Sequence, residues 1–381
     1  MSPNLGSPKS VRWLSIVGAR PQFIKVAAIC RAIDAHNQAQ GRPAIEHYIV
    51  HTGQHYNHEM AELFFLQLDI PKPRYDLEAG SGSHGAQLAC MIERMEPVLN
   101  TENPDWVIVY GDTNSTAAGA LLASRLGYAV AHLEAGCRSH NWKMPEEQNR
   151  VVADHLSQVL LAPSRKAVEN LEREGIGVAG DPRRRTVALV GDVMYDMLLA
   201  NLMAAMRLTK HNMDRYQLKP KGYYLLTLHR AENTQNRARL LEILAALEGL
   251  DLPVLFPIHP RTRKVLGERQ FPGDKANVKV ITPVGYLDML ALEKSACKIL
   301  TDSGGVQKEA FYLRVPCITL REETEWPETV ELGVNRLTGT DRTKIVGAVQ
   351  ETEPSFSGTP APFGNGKASE HIVNILASGA A

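Results

Sequence analysis

Residues 298–309 read KILTDSGGVQKE, and the fold turns on how that stretch divides. Lys298-Ile299-Leu300-Thr301 is a short apolar run; an acid, a serine and two glycines follow, and a helix-compatible pattern opens behind them. A continuous run of this length is what a strand covered on both faces looks like, as in a parallel sheet. Adjacent glycines serve either a sharp turn or the close approach of a ligand to the backbone. A strand, Ser303, Gly304, Gly305 and a helix start make a cradle of N–H groups for an anion, with Glu309 one turn inside to accept from hydroxyls. No Lys-Ser/Thr follows at P-loop spacing and GxGxxG is absent, so neither nucleotide fingerprint applies. The glycines therefore read as admitting a phosphate.

The same rhythm of short apolar run, polar turn and helix extends outward in both directions. Upstream lie VRWLSIVG, EHYIVHTG, WVIVYGD, AVAHLE, VLLAPS and TVALVGD, separated by helix-compatible segments such as 21–36, 84–100 and 113–126. Around the opening stretch lie YYLLTLHR, PVLFPIHP, VKVITPVG and PCITLREE. Alternating strands and helices require parallel sheets with right-handed crossovers. The series pauses at 193–221, a helix that ends in a polar Lys/Pro/Gly connector, so the sequence predicts two α/β domains. A chain of 381 residues also exceeds what one core usually supports. We expect a disordered tail at 1–10, an N-terminal domain at 11–206, a second at 207–362 and a last helix within 363–381. In open parallel sheets ligands bind beyond the carboxyl ends of the strands.

Composition narrows the function. The 42 basic residues balance the 42 acidic ones, which removes the electrostatic footprint of a nucleic-acid or membrane-surface binder. Five scattered cysteines without CxxC spacing suggest neither a disulfide framework nor a zinc cluster. No stretch approaches the roughly 18 apolar residues that span a bilayer, and the first ten lack a signal-peptide core. A protein of a reducing cytoplasm without nucleic-acid or membrane partners is the expectation.

Polar residues suited to chemistry gather at the predicted strand ends. GARPQFIK offers Arg20 beside Pro21 at a helix start and Lys25 one turn inside. His51, His55 and His58 follow the second run, but no carboxylate stands at ligand spacing, so they read as pocket wall and no metal is expected. Asp112 ends VYGD; its bland reading is a helix N-cap. Glu134 ends AHLE, where nothing needs capping. Glu146 and Glu147 sit in a first helical turn behind Pro145, where one of them can simply favour the helix dipole. Clustered acids perturb one another and yield a base and an acid near neutral pH. The second half supplies cations instead: His229 and Arg230 in LTLHRAEN, and His259 and Arg261 in PIHPRTRK. An acid-lined sheet edge opposite a phosphate-binding one suits a nucleotide-linked sugar.

GARPQFIK, GDTNST, HLEAGCRS, MPEEQNR, GDVMYD, LTLHRAEN, PIHPRTRK, TDSGGVQKEA, LREETEWPE and PFGNGK together resemble the non-hydrolysing UDP-N-acetylglucosamine 2-epimerases, in the family's order and over nearly the whole chain. The resemblance implies a GT-B fold, two Rossmann-like domains with the active site in the cleft between them, and a C-terminal helix crossing back to the first. It implies no cofactor, a UDP-sugar substrate and a homodimer. The chemistry implied is anti elimination of UDP across C1 and C2, then re-addition to the other face. By position, Asp112, Glu134, Glu146 and His229 match catalytic residues, with Glu134 our first choice for the C2 base. Ser303, Gly304 and Gly305 match the phosphate loop, Glu309 the ribose contact, and Arg20 and Lys25 cations from the first domain. Arg138, Arg230, His259 and Arg261 complete the expected substrate-binding set.

Two departures bear on the substrate. Trp326 stands where many bacterial members have arginine, and QHYNHEM replaces a QHREM segment linked to activation by substrate, which is therefore not expected here. The forms HTGQHY and SGSHG resemble archaeal members and relatives acting on UDP-2,3-diacetamido-2,3-dideoxyglucuronate. A hydrolysing 2-epimerase, a glycosyltransferase and a non-catalytic nucleotide-sugar sensor are the competing readings.

Overall fold

The computed structural model describes residues 10–39, 43–53, 65–234, 236–258, 260–266, 277–352 and 354–379. The predicted tail at 1–10 falls almost entirely outside them. The chain divides into two compact units, Met1–Met197 with Ala361–Ala381, and Leu198–Pro360. The division falls inside helix Val193–Tyr216.

The first unit is built on seven strands: β1 Val11–Val17, β2 Ile45–His51, β3 Tyr75–Asp76, β4 Trp106–Tyr110, β5 Val130–Leu133, β6 Val159–Ala162 and β7 Thr186–Leu189. Their spatial order is β3-β2-β1-β4-β5-β6-β7, and every pair is parallel. β1 and β4 carry the interior, with Trp13, Leu14, Ile16, Val107, Ile108 and Val109 all fully buried. Each such side chain contributes about 1.5–3 kcal/mol relative to exposure. Helix Ala368–Ala377 packs on helix Arg20–Gln38. It is tied down by Trp106 Nε1 donating to Leu376 O (3.2 Å) and by Asp196 accepting from Ala368 N and Ser369 N.

The second unit repeats the design with β8 Tyr224–Thr227, β9 Val254–Pro257, β10 Val278–Ile281, β11 Lys298–Thr301, β12 Cys317–Thr319 and β13 Asn335–Leu337. Their order is β10-β9-β8-β11-β12-β13, again all parallel. The opening stretch is therefore the central strand β11 leading into helix Gly304–Leu313. The sequence reading missed β3 and β13, edge strands of 2 and 3 residues, which are too short to show a period.

Strand order reverses direction between β1 and β4 in one unit and between β8 and β11 in the other. The carboxyl ends of those strand pairs are where a ligand crevice opens in this class of sheet.

Candidate active site at the carboxyl ends of two sheets

In the first unit, Gln22 couples the ends of β1 and β4. Its Oε1 accepts from Gly18 N and Ala19 N (2.8 and 3.1 Å), and its Nε2 donates to Tyr110 O (2.8 Å). Nothing in the sequence marks Gln22 beyond its place in the first turn of a helix. Helix Arg20–Gln38 then brings Lys25, only 5% exposed, inward to an ion pair with Glu134, whose side chain is 15% exposed. Glu134 adopts φ +69°, a left-handed conformation that costs a non-glycine residue of order 1–3 kcal/mol and clusters at functional sites. Gly111 lies against the same pair: with φ +62°, a β-carbon there would stand 3.0 Å from Lys25 Nζ and 3.9 Å from Glu134 Oε2.

Asp112 is not the N-cap that its position suggested. Thr113 caps helix Asn114–Leu126 and shares the turn with Thr116. That leaves the Asp112 carboxylate, 33% exposed, to pair with Arg150 at 2.5 Å. Arg150 is almost fully buried and also reaches Glu147 at 3.2 Å. Glu147 is the structural member of the acidic pair, because its carboxylate accepts from Ser139 N, Ser139 Oγ and His140 N at 2.9–3.0 Å. Glu146 lies half-buried beside it in the first turn of helix Pro145–Leu156.

Beneath these groups runs a buried chain of charges that sequence reasoning did not find. His132 Nδ1 lies 2.7 Å from Asp154 Oδ1, and Asp154 Oδ2 accepts from Gly136 N and Arg138 NH1. Arg138 also makes a two-point contact with Glu174 at 2.7 Å. Burial alone would raise the Asp154 carboxyl, but His132 and Arg138 outweigh it and hold it below the usual range. Arg138 is thus engaged inside the fold, 4% exposed, bracing the turn that carries Glu134. His51 contacts Asp76 at 3.2 Å and packs on Phe23, while His55 and His58 lie outside the described residues. Among the described residues no group of three or more His, Cys, Asp or Glu is arranged to hold a metal ion. No disulfide joins the cysteines, and burial pushes the Cys30 and Cys317 thiols up to about 12. Nor is any described helix long and apolar enough to cross a membrane.

In the second unit, Ser303 caps helix Gly304–Leu313, its Oγ accepting from Val306 N at 3.4 Å. Asp302, fully buried, stitches β8 to β11 by accepting from His229 N, Arg230 N and Asn233 Nδ2 at 3.0–3.2 Å. His229 is left 44% exposed at the strand end, its Nδ1 3.3 Å from Asp302. Arg230 approaches Glu325 at 3.8 Å, and Glu325 in turn grips the buried Arg321 through two contacts of 2.9 and 3.1 Å. A β-carbon on Gly304 would stand 3.2 Å from Trp326 Nε1 and 3.6 Å from Glu325 Oε2, so glycine leaves the cradle open. Glu309 is buried one turn along. His259 lies outside the described residues; Arg261 belongs to helix Pro260–Leu266.

In the first unit Lys25 and Glu134 meet beside Gly111, next to Asp112, while Arg20 and Glu146 stand in the first turns of their own helices. In the second, His229 and Arg230 share Asp302 at the end of β11 with the Ser303-Gly304-Gly305 helix start, and Glu309 follows one turn along. One set is rich in carboxylates, the other in helix-start amides and cations. The first set suits proton transfer and the second suits an anion.

Comparison with known proteins gives the same direction. A family model described as UDP-N-acetylglucosamine 2-epimerase matches residues 37–377. A UDP-N-acetylglucosamine 2-epimerase homolog of Methanococcus maripaludis is 47% identical over 96% of this chain and 99% of its own. The UDP-2,3-diacetamido-2,3-dideoxy-D-glucuronate 2-epimerase of Pseudomonas aeruginosa is 44% identical over 96% and 99%. Among solved structures, that of the Methanocaldococcus jannaschii UDP-GlcNAc 2-epimerase with UDP-GlcNAc and UDP is 45% identical. It superposes with a TM-score of 0.87 over 97% of this chain and 100% of that one.

Proposed function

The chain belongs to the UDP-N-acetylglucosamine 2-epimerase family, and from that premise we propose that it interconverts UDP-N-acetylglucosamine and UDP-N-acetylmannosamine. A carboxylate removes the C2 proton while the C1–O bond breaks, its electron pair leaving with the UDP oxygen and a C1=C2 double bond forming. UDP then adds back to C1 as a proton is delivered to the opposite face of C2. The sequence is redox-neutral and consumes nothing.

Glu134 carries this reading. A glutamate held at φ +69° just past the end of β5, with Lys25 against its carboxylate, stands where no helix begins and no cap is needed. We assign it the C2 proton, with Asp112 and Glu146 as partner acid–base or orienting groups. The departing diphosphate goes to the Ser303 hydroxyl and the amides of Gly304 and Gly305, where a helix N-terminus favours negative charge, with His229 and Arg230 beside it. Glu309 accepts from the ribose. The reading requires both units to act on one substrate, and it includes a homodimer working in the cytoplasm.

Incubation with UDP-N-acetylglucosamine in deuterium oxide tests it. Epimerised nucleotide sugar carrying deuterium at C2 is expected; epimerisation without exchange overturns the proton-transfer step. Release of UDP and free N-acetylmannosamine as the main products makes the enzyme hydrolysing. A second reading rests on the 44% identity to the Pseudomonas aeruginosa relative, whose substrate bears an additional acetamido group and a uronate. A higher kcat/KM on that sugar than on UDP-N-acetylglucosamine decides for it.

A further inference from the structure

His132 sits on β5, two residues before Glu134, with no exposed surface. Both of its ring nitrogens face oxygen: Nδ1 is 2.7 Å from Asp154 Oδ1, and Nε2 is 2.7 Å from the carbonyl oxygen of Gly111. A backbone carbonyl can only accept, and so can a carboxylate in its ionised form. Arg138 NH1 and Gly136 N donate to the other Asp154 oxygen at 2.7 and 3.1 Å, which favours the ionised carboxylate independently of the ring. A neutral imidazole has one N–H. It would leave one of two 2.7 Å contacts as lone pair against lone pair, with no water able to intervene at that separation.

We propose that His132 carries a proton on each ring nitrogen and acts as a buried cation that positions the Gly111–Asp112 turn for the reaction at C2. Charge balance points the same way. Asp154, fully buried, is the carboxylate at the ring, and it shares Arg138 with Glu174, whose side chain is 29% exposed. Arg138 thus divides its charge between two carboxylates, and a cation on the ring completes the compensation of the buried Asp154.

The consequence reaches the site through one peptide. Gly111 holds φ +62° and bonds to β5 twice, through its carbonyl to His132 Nε2 and through its N–H to Leu133 O at 2.9 Å. In a planar trans peptide the Asp112 N–H is directed opposite to the Gly111 carbonyl, hence away from the buried ring. An N–H···O bond from a cation fixes that peptide plane more firmly than a neutral donor does and polarises it. His132 is a positioning residue: it touches no substrate and sets where Asp112 and Gly111 stand relative to Lys25 and Glu134.

This inference rests on the 2-epimerase reading only for its kinetic arm. Selective ¹⁵N labelling of histidine, with the ring shifts followed at pH 7.5 in the substrate-free enzyme, reads the protons directly. Two protonated ring nitrogens on His132 are expected; one protonated and one bare nitrogen overturns the proposal. His132→Gln keeps a donating side-chain amide but carries no charge and cannot donate from two opposite ends as the imidazolium does. It should lower kcat by about 100-fold, the order expected for a misplaced catalytic group, while UDP affinity, set in the other unit, stays within about 2-fold. An unchanged kcat, or a loss confined to KM or to UDP binding, overturns the positioning role. A wild-type enzyme that fails to epimerise UDP-N-acetylglucosamine would sink the functional reading and leave the ring measurement standing.

Discussion

Replacing Gly111 by alanine tests whether the strand-end geometry is as tightly drawn as it appears on β4. Two costs are separable. Holding an alanine at φ +62° costs about 1–2 kcal/mol, which for a unit of this size lowers the melting temperature by roughly 2–8 °C. The added β-carbon also stands 3.0 Å from Lys25 Nζ, so the ammonium must give by a few tenths of an ångström. Lys25 is buried and paired with Glu134, so the displacement passes to that carboxylate. Misplacement approaching 1 Å costs about 100-fold in rate, so a loss of roughly 10- to 100-fold in kcat is expected. Gly127→Ala is the control. Gly127 has φ +84° at the end of helix Asn114–Leu126, and a β-carbon there meets nothing within 4 Å. Thermal melts and steady-state epimerisation are run on both variants. Equal destabilisation with only Gly111→Ala losing kcat fits the account; equal kcat values in the two variants would refute the claim that Gly111 is packed against working groups.

Other predictions follow from the same geometry. Ser303→Ala removes the acceptor for Val306 N, costing about 1 kcal/mol of helix stability, and weakens UDP binding by calorimetry; undiminished affinity counts against the loop. Glu146→Gln should lose activity at unchanged stability. Glu147→Gln should instead destabilise the loop it closes, a contrast read by urea unfolding beside kcat. Asp154, whose depressed carboxyl favours the folded state, contributes stability in full above the ordinary aspartate value of about 3.9 and loses it as pH falls through the lower folded value. Wild type should therefore melt progressively lower below about pH 4. Asp154→Asn, destabilised by about 3–5 kcal/mol at neutral pH because His132 loses its carboxylate and Arg138 keeps only Glu174, should show a flatter acid arm.

Both sheets were legible because buried parallel strands announce themselves as continuous apolar runs, and the strand-end residues were legible because glycines, prolines and acids punctuate those runs. Glu134 stood out since no helix begins where it lies. Asp112 misled because an acid before a helix usually caps it; here Thr113, one residue later, takes that role, its Oγ1 accepting from Thr116 N. What the sequence hid is long-range pairing. Arg150, His132 and Asp154 look like ordinary members of a helix and a strand, and only folding brings residues 22 positions apart within 2.7 Å. Asp302, the acid that follows the apolar run, accepts from the backbone of His229 and Arg230, a pairing across 72–73 positions that the sequence does not show. His132, a polar residue in the otherwise apolar strand β5, was the available signal; the buried face of helix Pro145–Leu156 is itself mostly polar, so Arg150 and Asp154 do not stand out on it.

Glu134→Gln offers the most direct check on the division of labour between the two sets of strand ends. Deuterium incorporation at C2 of UDP-N-acetylglucosamine should fall by about 100- to 10,000-fold, the range for loss of a proton-transferring side chain, while calorimetry returns the wild-type affinity for UDP. Exchange at C2 continuing at the wild-type rate in that variant would contradict the account.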